Sequence, residues 1–164
     1  MAYQNGWSYV NGPFKNVWSD VSSTATFVAH NLVTLSDDRT VIEAASDSSA
    51  VFGIARHDAA DSLGGVLAGK ILVEVPTADT VYAIKIGTAA AASEISAGQS
   101  FEIEKSGNYL IGNEDSATTP MVTVVPRDDG STLDSADSTV FVNILGNRLG
   151  VFGSNASVSP FAQD

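Results

Sequence analysis

The one pair of neighbouring residues able to share a proton-transfer task is His57-Asp58. An imidazole beside a carboxylate can act as a general base when the two side chains converge on one proton. Adjacent residues in an extended chain point to opposite sides, however, and this pair opens a polar connection, HDAADSLGG, where a solvated turn is expected. His30 stands in a strand-like run with no second His or Cys nearby, too little for a zinc site, which takes three or four ligands. Asp37-Asp38 sit in a turn, SDDRT, and are expected to be solvated. The aspartate-rich stretch RDDGSTLDSADS, residues 127–138, invites a calcium reading. Counted from Asp128, however, the third and fifth positions are Gly130 and Thr132, so the calcium-loop pattern fails. No G-x-S-x-G elbow occurs, and Gly64, Gly65 and Gly69 are too few for a phosphate cradle. No catalytic residue, metal ligand or cofactor site is therefore expected.

Composition narrows the partners. The 164 residues carry 19 acidic and 8 basic side chains, a net charge of −11. The eight cations are scattered singly from Lys15 to Arg148, whereas phosphate binding needs them clustered. Nucleic acid and anionic membrane surfaces are both disfavoured. No cysteine is present, which removes disulfides, thiolate nucleophiles and Cys-ligated zinc. No basic stretch followed by an apolar run opens the chain, and none of its apolar runs approaches the ~20 residues of a membrane helix, so neither a leader nor a span is expected.

The elements that must position these residues are strands. VFGIAR, KILVEVP and TVYAIKI follow one another between Val51 and Ile86, and Ile71, Val73 and Val75 recur at every second position of KILVEVP. Period two marks a half-buried sheet. TFVAHNLVTL, VIEAA, MVTVVP and TVFVNIL read the same way, and FEIEK–SGN–YLIG reads as a hairpin. Only TAAAASEISAG, residues 88–98, tolerates a helix. Eight to ten short strands with turn signals about every ten residues predict an all-β antiparallel barrel or sandwich with at most one short helix.

Residues 1–20 differ from the rest. Tyr3, Trp7, Tyr9, Phe14 and Trp18 include both tryptophans, interrupted by Gly6 and the turn Asn11-Gly12-Pro13. Two readings follow: a strand tucked onto the domain's own core, or an extended arm docking on another chain, since Trp and Tyr are enriched at interfaces. Burying five aromatics and ordering twenty residues have opposing free energies of similar size. An arm would thus need backbone hydrogen bonds to a partner strand, and its deletion would leave a folded domain. The expected division is an arm over 1–20, one β-domain over 21–153 and a tail over 154–164.

The segment NLVTLSDDRTVIEAASDSSAVFGIARHDAADSLGG, with ILVEVPTADTVYAIKI after it, resembles the decoration (cement) proteins of tailed-bacteriophage capsids. The likeness covers about residues 27–86 well and 98–150 loosely. It implies a small β-tulip-like domain, made in the host cytoplasm, that seats on the outer surface of the assembled virion. Its partners would be the major capsid protein and its own copies, as a homotrimer. No catalysis is implied, and the five aromatics of the N-terminal arm become the candidate partner-binding residues. The aromatic-rich start and the long acidic loop at 127–138 depart from the simplest members. Two other classes fit the residues alone. One is a carbohydrate-binding or adhesive β-module such as a virion fibre domain, with Trp7 and Trp18 as its platform. The other is a small β-barrel hydrolase with an unrecognised carboxylate site.

Overall fold

The computed structural model describes residues 6–45, 50–60, 69–87, 95–134 and 138–150. Over these, twelve strands follow in chain order: β1 (Ser8–Asn11), β2 (Phe14–Asp20), β3 (Leu32–Leu35), β4 (Val41–Glu43), β5 (Gly53–Ala55), β6 (Lys70–Pro76), β7 (Val81–Lys85), β8 (Ser100–Ser106), β9 (Tyr109–Asn113), β10 (Val122–Val125), β11 (Leu133–Asp134) and β12 (Thr139–Ile144). A 3-10 turn spans Gly146–Arg148, and Ala59 and Ala60 are also in 3-10 conformation. Of the helix-tolerant stretch 88–98, residues 88–94 lie outside the described residues; the described part, 95–98, is not helical, and its Ile95 is a core residue.

The strands form two antiparallel sheets. The larger runs β1-β7-β12-β10-β8-β9 with β11 beside β12, and the smaller runs β2-β6-β5-β3-β4. Isolated bridges join Val21, after β2, to Val41 of β4, and Ile86, after β7, to Gly112 of β9, but neither sheet closes into a continuous barrel, so the architecture is a sandwich. Side chains from both inner faces meet in one core, where Leu32, Val51 and Ile54 of the smaller sheet's side pack with Tyr82, Ile84, Phe101, Val122 and Val142 of the larger. The outer face of the smaller sheet is also covered: Phe27, Ala25 and Val21 close over Val33, Val41, Ile71, Val73 and Val75. The alternation in β6 therefore does not separate a wet face from a dry one. Ile71, Val73 and Val75 point to the outer cluster, while Glu74 points between the sheets and is 2% exposed.

The three consecutive strands β5, β6 and β7 do not make one meander. β5 and β6 pair, but Thr77–Thr80 carries the chain across to the larger sheet, where β7 lies between β1 and β12. A second crossing, at Gly12 and Pro13, takes β1 of the larger sheet into β2 of the smaller. Thr80 ties the two together: its hydroxyl donates to the Pro13 carbonyl and accepts from the Thr77 amide, 2.9 Å away. Gly12 has φ +101, and a Cβ there would lie 2.6 Å from the Asp79 carbonyl oxygen, so the crossing requires glycine. The β8–β9 hairpin forms as expected, with Ser106 facing Tyr109 and Gly107 at φ +59, suited to the first central position of a tight hairpin turn.

The described part of the stretch expected as an arm, residues 6–20, lies on the chain's own sheets. β1 pairs with β7, and β2 pairs with β6 over all seven of its residues, Phe14 facing Pro76 through to Asp20 facing Lys70. The boundary at residue 20 therefore does not separate an arm from the domain. The physical reason is that β2 satisfies its backbone in cis, along the edge of β6 that would otherwise be open.

Candidate functional site

Four of the five candidate partner-binding aromatics are described, and they divide into core and surface. Tyr3 lies outside the described residues. Trp7 is 1% exposed. Its indole Nε1 donates to the Leu110 carbonyl at 2.9 Å, and its ring meets Tyr82 edge-on at 5.9 Å. Trp7 is thus a core residue of its own sandwich, which removes it both as a partner anchor and as half of a sugar platform. Tyr9 and Trp18 are 44% and 42% exposed, the two exposed large hydrophobic residues among those described. Tyr9 donates to the Gly12 carbonyl at 2.8 Å and stands edge-on to half-buried Phe14, with ring centroids 4.9 Å apart. Trp18 stacks on His57, 6.0 Å between centroids and 13° between planes.

β1 and β2 border a cleft between the sheets, about 290 Å³ in volume, lined by Trp7, Ser8, Tyr9, Phe14, His30, Ile54, Arg56 and Glu74. Residues of both sheets line it, and Glu74 and Arg56 bring a polar cluster to its wall. Glu74 accepts from the Tyr82 phenol at 2.7 Å through Oε2 and from the Arg56 guanidinium at 3.0 Å through Oε1. Burial, followed by the negative charge of Glu74 beside it, pushes the Tyr82 phenol far above its ordinary range. His30, at the cleft's side, holds φ +67 while its amide donates to Ala55 and its carbonyl accepts from Trp7. Such left-handed backbone is unusual outside glycine.

The residues that suggested chemistry are used for architecture. His57 Nδ1 accepts from the Leu72 amide at 3.2 Å, and Asp58 Oδ1 accepts from the Ala29 amide at 2.7 Å. The two therefore serve different backbone groups. Asp38 gathers the Ser36 and Thr40 hydroxyls, and these hydrogen bonds, Ser36 first, hold its carboxyl below the ordinary range. Asp129 does the same with Ser131, whose hydroxyl lies 2.6 Å away. Among the described residues no group of three or more His, Asp or Glu could hold a metal ion, and no helix is long and apolar enough to cross a membrane.

Two buried polar centres, at Glu74 and Asn31, gave no sequence signal. Glu74 reads as the polar partner of an amphipathic strand, and its partners Arg56 and Tyr82 belong to other elements. Asn31, fully buried, donates from Nδ2 to Glu43 at 2.8 Å and to the Asn108 carbonyl at 3.1 Å. Its Oδ1 accepts from the Leu32 and Leu110 amides, joining the start of β3 to the β8–β9 hairpin.

A scan against protein-family models finds no match to this chain, and a search of curated proteins finds none either.

Proposed function

We propose that this protein is a non-enzymatic virion component that binds the outer surface of an assembled phage capsid and stabilises it, with the major capsid protein as partner and its own copies as a homotrimer. The observation that carries the reading is the edge formed by β1 and β2, which holds both exposed aromatics, Tyr9 and Trp18. Large aromatic anchors on an otherwise polar surface are characteristic of protein–protein contacts.

The register of β2 adds a second feature to the same edge. The Arg56 amide donates to Leu72, so Leu72 and Glu74 turn their backbone toward β5, while Ile71, Val73 and Val75 turn theirs toward β2. Lys15, Val17 and Ser19 are thereby paired inward, in phase with the bond from the Val21 amide to the Gly69 carbonyl. The backbone groups of Phe14, Asn16, Trp18 and Asp20 face outward, where a strand of the shell can add to them.

The choice of a capsid as partner rests on the likeness of the segment around residues 27–86, which supplies β3 through β7 and so most of the smaller sheet. The charge of −11 keeps free copies apart before assembly. Binding only to the assembled lattice would stabilise it by about 2.7 kcal/mol per site at a hundredfold excess over Kd.

Co-sedimentation with assembled shells of the encoding phage tests the proposal. Wild type should pellet with shells and raise their melting temperature. Asn16→Pro removes an outward N–H only, so it should stay folded and bind far more weakly. Val17→Pro removes an inward one and should destabilise the fold itself. A folded wild type that leaves shells unbound and unstabilised overturns the reading.

A further inference from the structure

The cleft between the sheets has features that capsid binding does not use. Its volume, about 290 Å³, sits at the small end of ligand sites and suits one ring. Tyr9 and Phe14 form an aromatic wall at its opening, and Tyr9 keeps 44% of its surface exposed. Arg56, with 42% of its side chain exposed, commits one guanidinium nitrogen to Glu74 and has further N–H donors. His30 lines the same cleft from a left-handed backbone position.

The charges select the ligand. An anion meets a guanidinium already neutralised by Glu74 at 3.0 Å, on a chain of net charge −11. A cation meets a carboxylate whose two oxygens are both engaged, with Arg56 beside it. A neutral ligand avoids both penalties. Arg56 requires an acceptor, the His30 imidazole offers a ring N–H donor, and the aromatic wall requires an apolar face. Hydroxyl groups around a ring with a C–H face supply all three. We propose that this cleft binds a single neutral hexopyranose unit, with Arg56 and His30 on its hydroxyls and the Tyr9–Phe14 wall against its apolar face. This differs from a tryptophan platform, because Trp7 is buried behind the site. It shares Tyr9 with the edge proposed to meet the shell, and its test uses no shells, so either reading can fail without the other.

The test uses the full chain carrying Trp18→Phe, which leaves Trp7, at the cleft, as the sole tryptophan. Its fluorescence is titrated with glucose, galactose and N-acetylglucosamine, then with glucuronate and tetramethylammonium at matched ionic strength. At least one neutral sugar should give a saturable change with Kd on the order of millimolar, and both ions should bind at least about tenfold more weakly. His30→Gly keeps the left-handed backbone and removes the imidazole, and Arg56→Lys keeps the charge beside Glu74. Each should weaken the sugar about tenfold while retaining a cooperative melt. If Arg56→Lys fails to fold, His30→Gly decides. Three sugars without saturation, an ion bound as tightly as the best sugar, or unchanged affinity in folded His30→Gly each overturns the assignment.

Discussion

Glu74 and Tyr82 join the two sheets across the sandwich: the Tyr82 hydroxyl donates to Glu74 Oε2 at 2.7 Å, and both residues are at most 2% exposed. The two stand on consecutive strands, β6 and β7, separated by the crossing at Thr77–Thr80. The contact therefore fixes where the smaller sheet lies over the larger. It also holds a carboxylate in the interior with a phenol on one oxygen and a guanidinium on the other.

Breaking this cluster should be costly and asymmetric. Glu74→Ala removes two hydrogen bonds to a charged acceptor and leaves the Tyr82 hydroxyl buried without its partner, while half-exposed Arg56 rehydrates, so it should destabilise the protein by more than about 3 kcal/mol. Tyr82→Phe removes a single bond to a charged acceptor and should cost about 1.5–3 kcal/mol. Urea denaturation of both variants checks the order, and equal losses would show that Glu74 is not held by Arg56 as well.

The same phenol sets an alkaline limit. Its folded pKa is raised, so its contribution is fully present below the unfolded value near 10.0 and is lost progressively as the pH rises above it. Stability should fall between pH 10 and pH 11.5, and the fall should be shallower in Tyr82→Phe. Guanidinium melts across that window give the slopes directly.

Acid should act through Glu102. The Thr119 amide at 2.6 Å, aided by the Ser116 and Thr119 hydroxyls, holds its carboxyl below the ordinary range. A depressed folded pKa gives stability that is present above the unfolded value, near 4.5, and lost as the pH falls through the folded one. Glu102→Gln should therefore lose less stability than wild type between pH 7 and pH 3. Parallel acid dependences in the two proteins would exclude the carboxylate as the cause.

Asn31 is the second structural polar centre. Asn31→Ala leaves the Leu32 and Leu110 amides without their acceptor, each an unsatisfied group worth about 1–3 kcal/mol. A loss of at least about 3 kcal/mol is expected, with the β8–β9 hairpin the first region to gain amide exchange. Uniform exchange across the protein would argue against that local link.

The tryptophans should separate cleanly. Trp7→Ala should cost about 3–5 kcal/mol as a large core truncation, and Trp18→Ala about 1 kcal/mol or less. Deleting residues 1–20 removes Trp7 and an edge strand of each sheet, so the cooperative thermal transition seen by circular dichroism should be lost. A preserved transition would mean that the sandwich closes without β1 and β2.

What the sequence determined by itself was local. Period-two alternation marked β6, β7, β10 and β12, Ser106-Gly107-Asn108 marked a hairpin, and scattered cations disfavoured a phosphate-binding face. These signals depend on a residue and its near neighbours, through backbone sterics and side-chain direction. The tertiary structure alone decided what lies across each face. Alternation in KILVEVP puts Glu74 opposite Ile71, Val73 and Val75, but only the second sheet makes that opposite face an interior. The TAD turn permits either a hairpin or a crossing, and it became a crossing because β7 pairs with β1 and β12 while β6 pairs with β2 and β5. The aromatic start allowed both a core strand and an arm, and the open edges of β6 and β7 settled where residues 8–20 lie. Partners such as Glu74 with Arg56, or Asn31 with Leu110, are joined by the path of the chain between them, and no local pattern encodes that path.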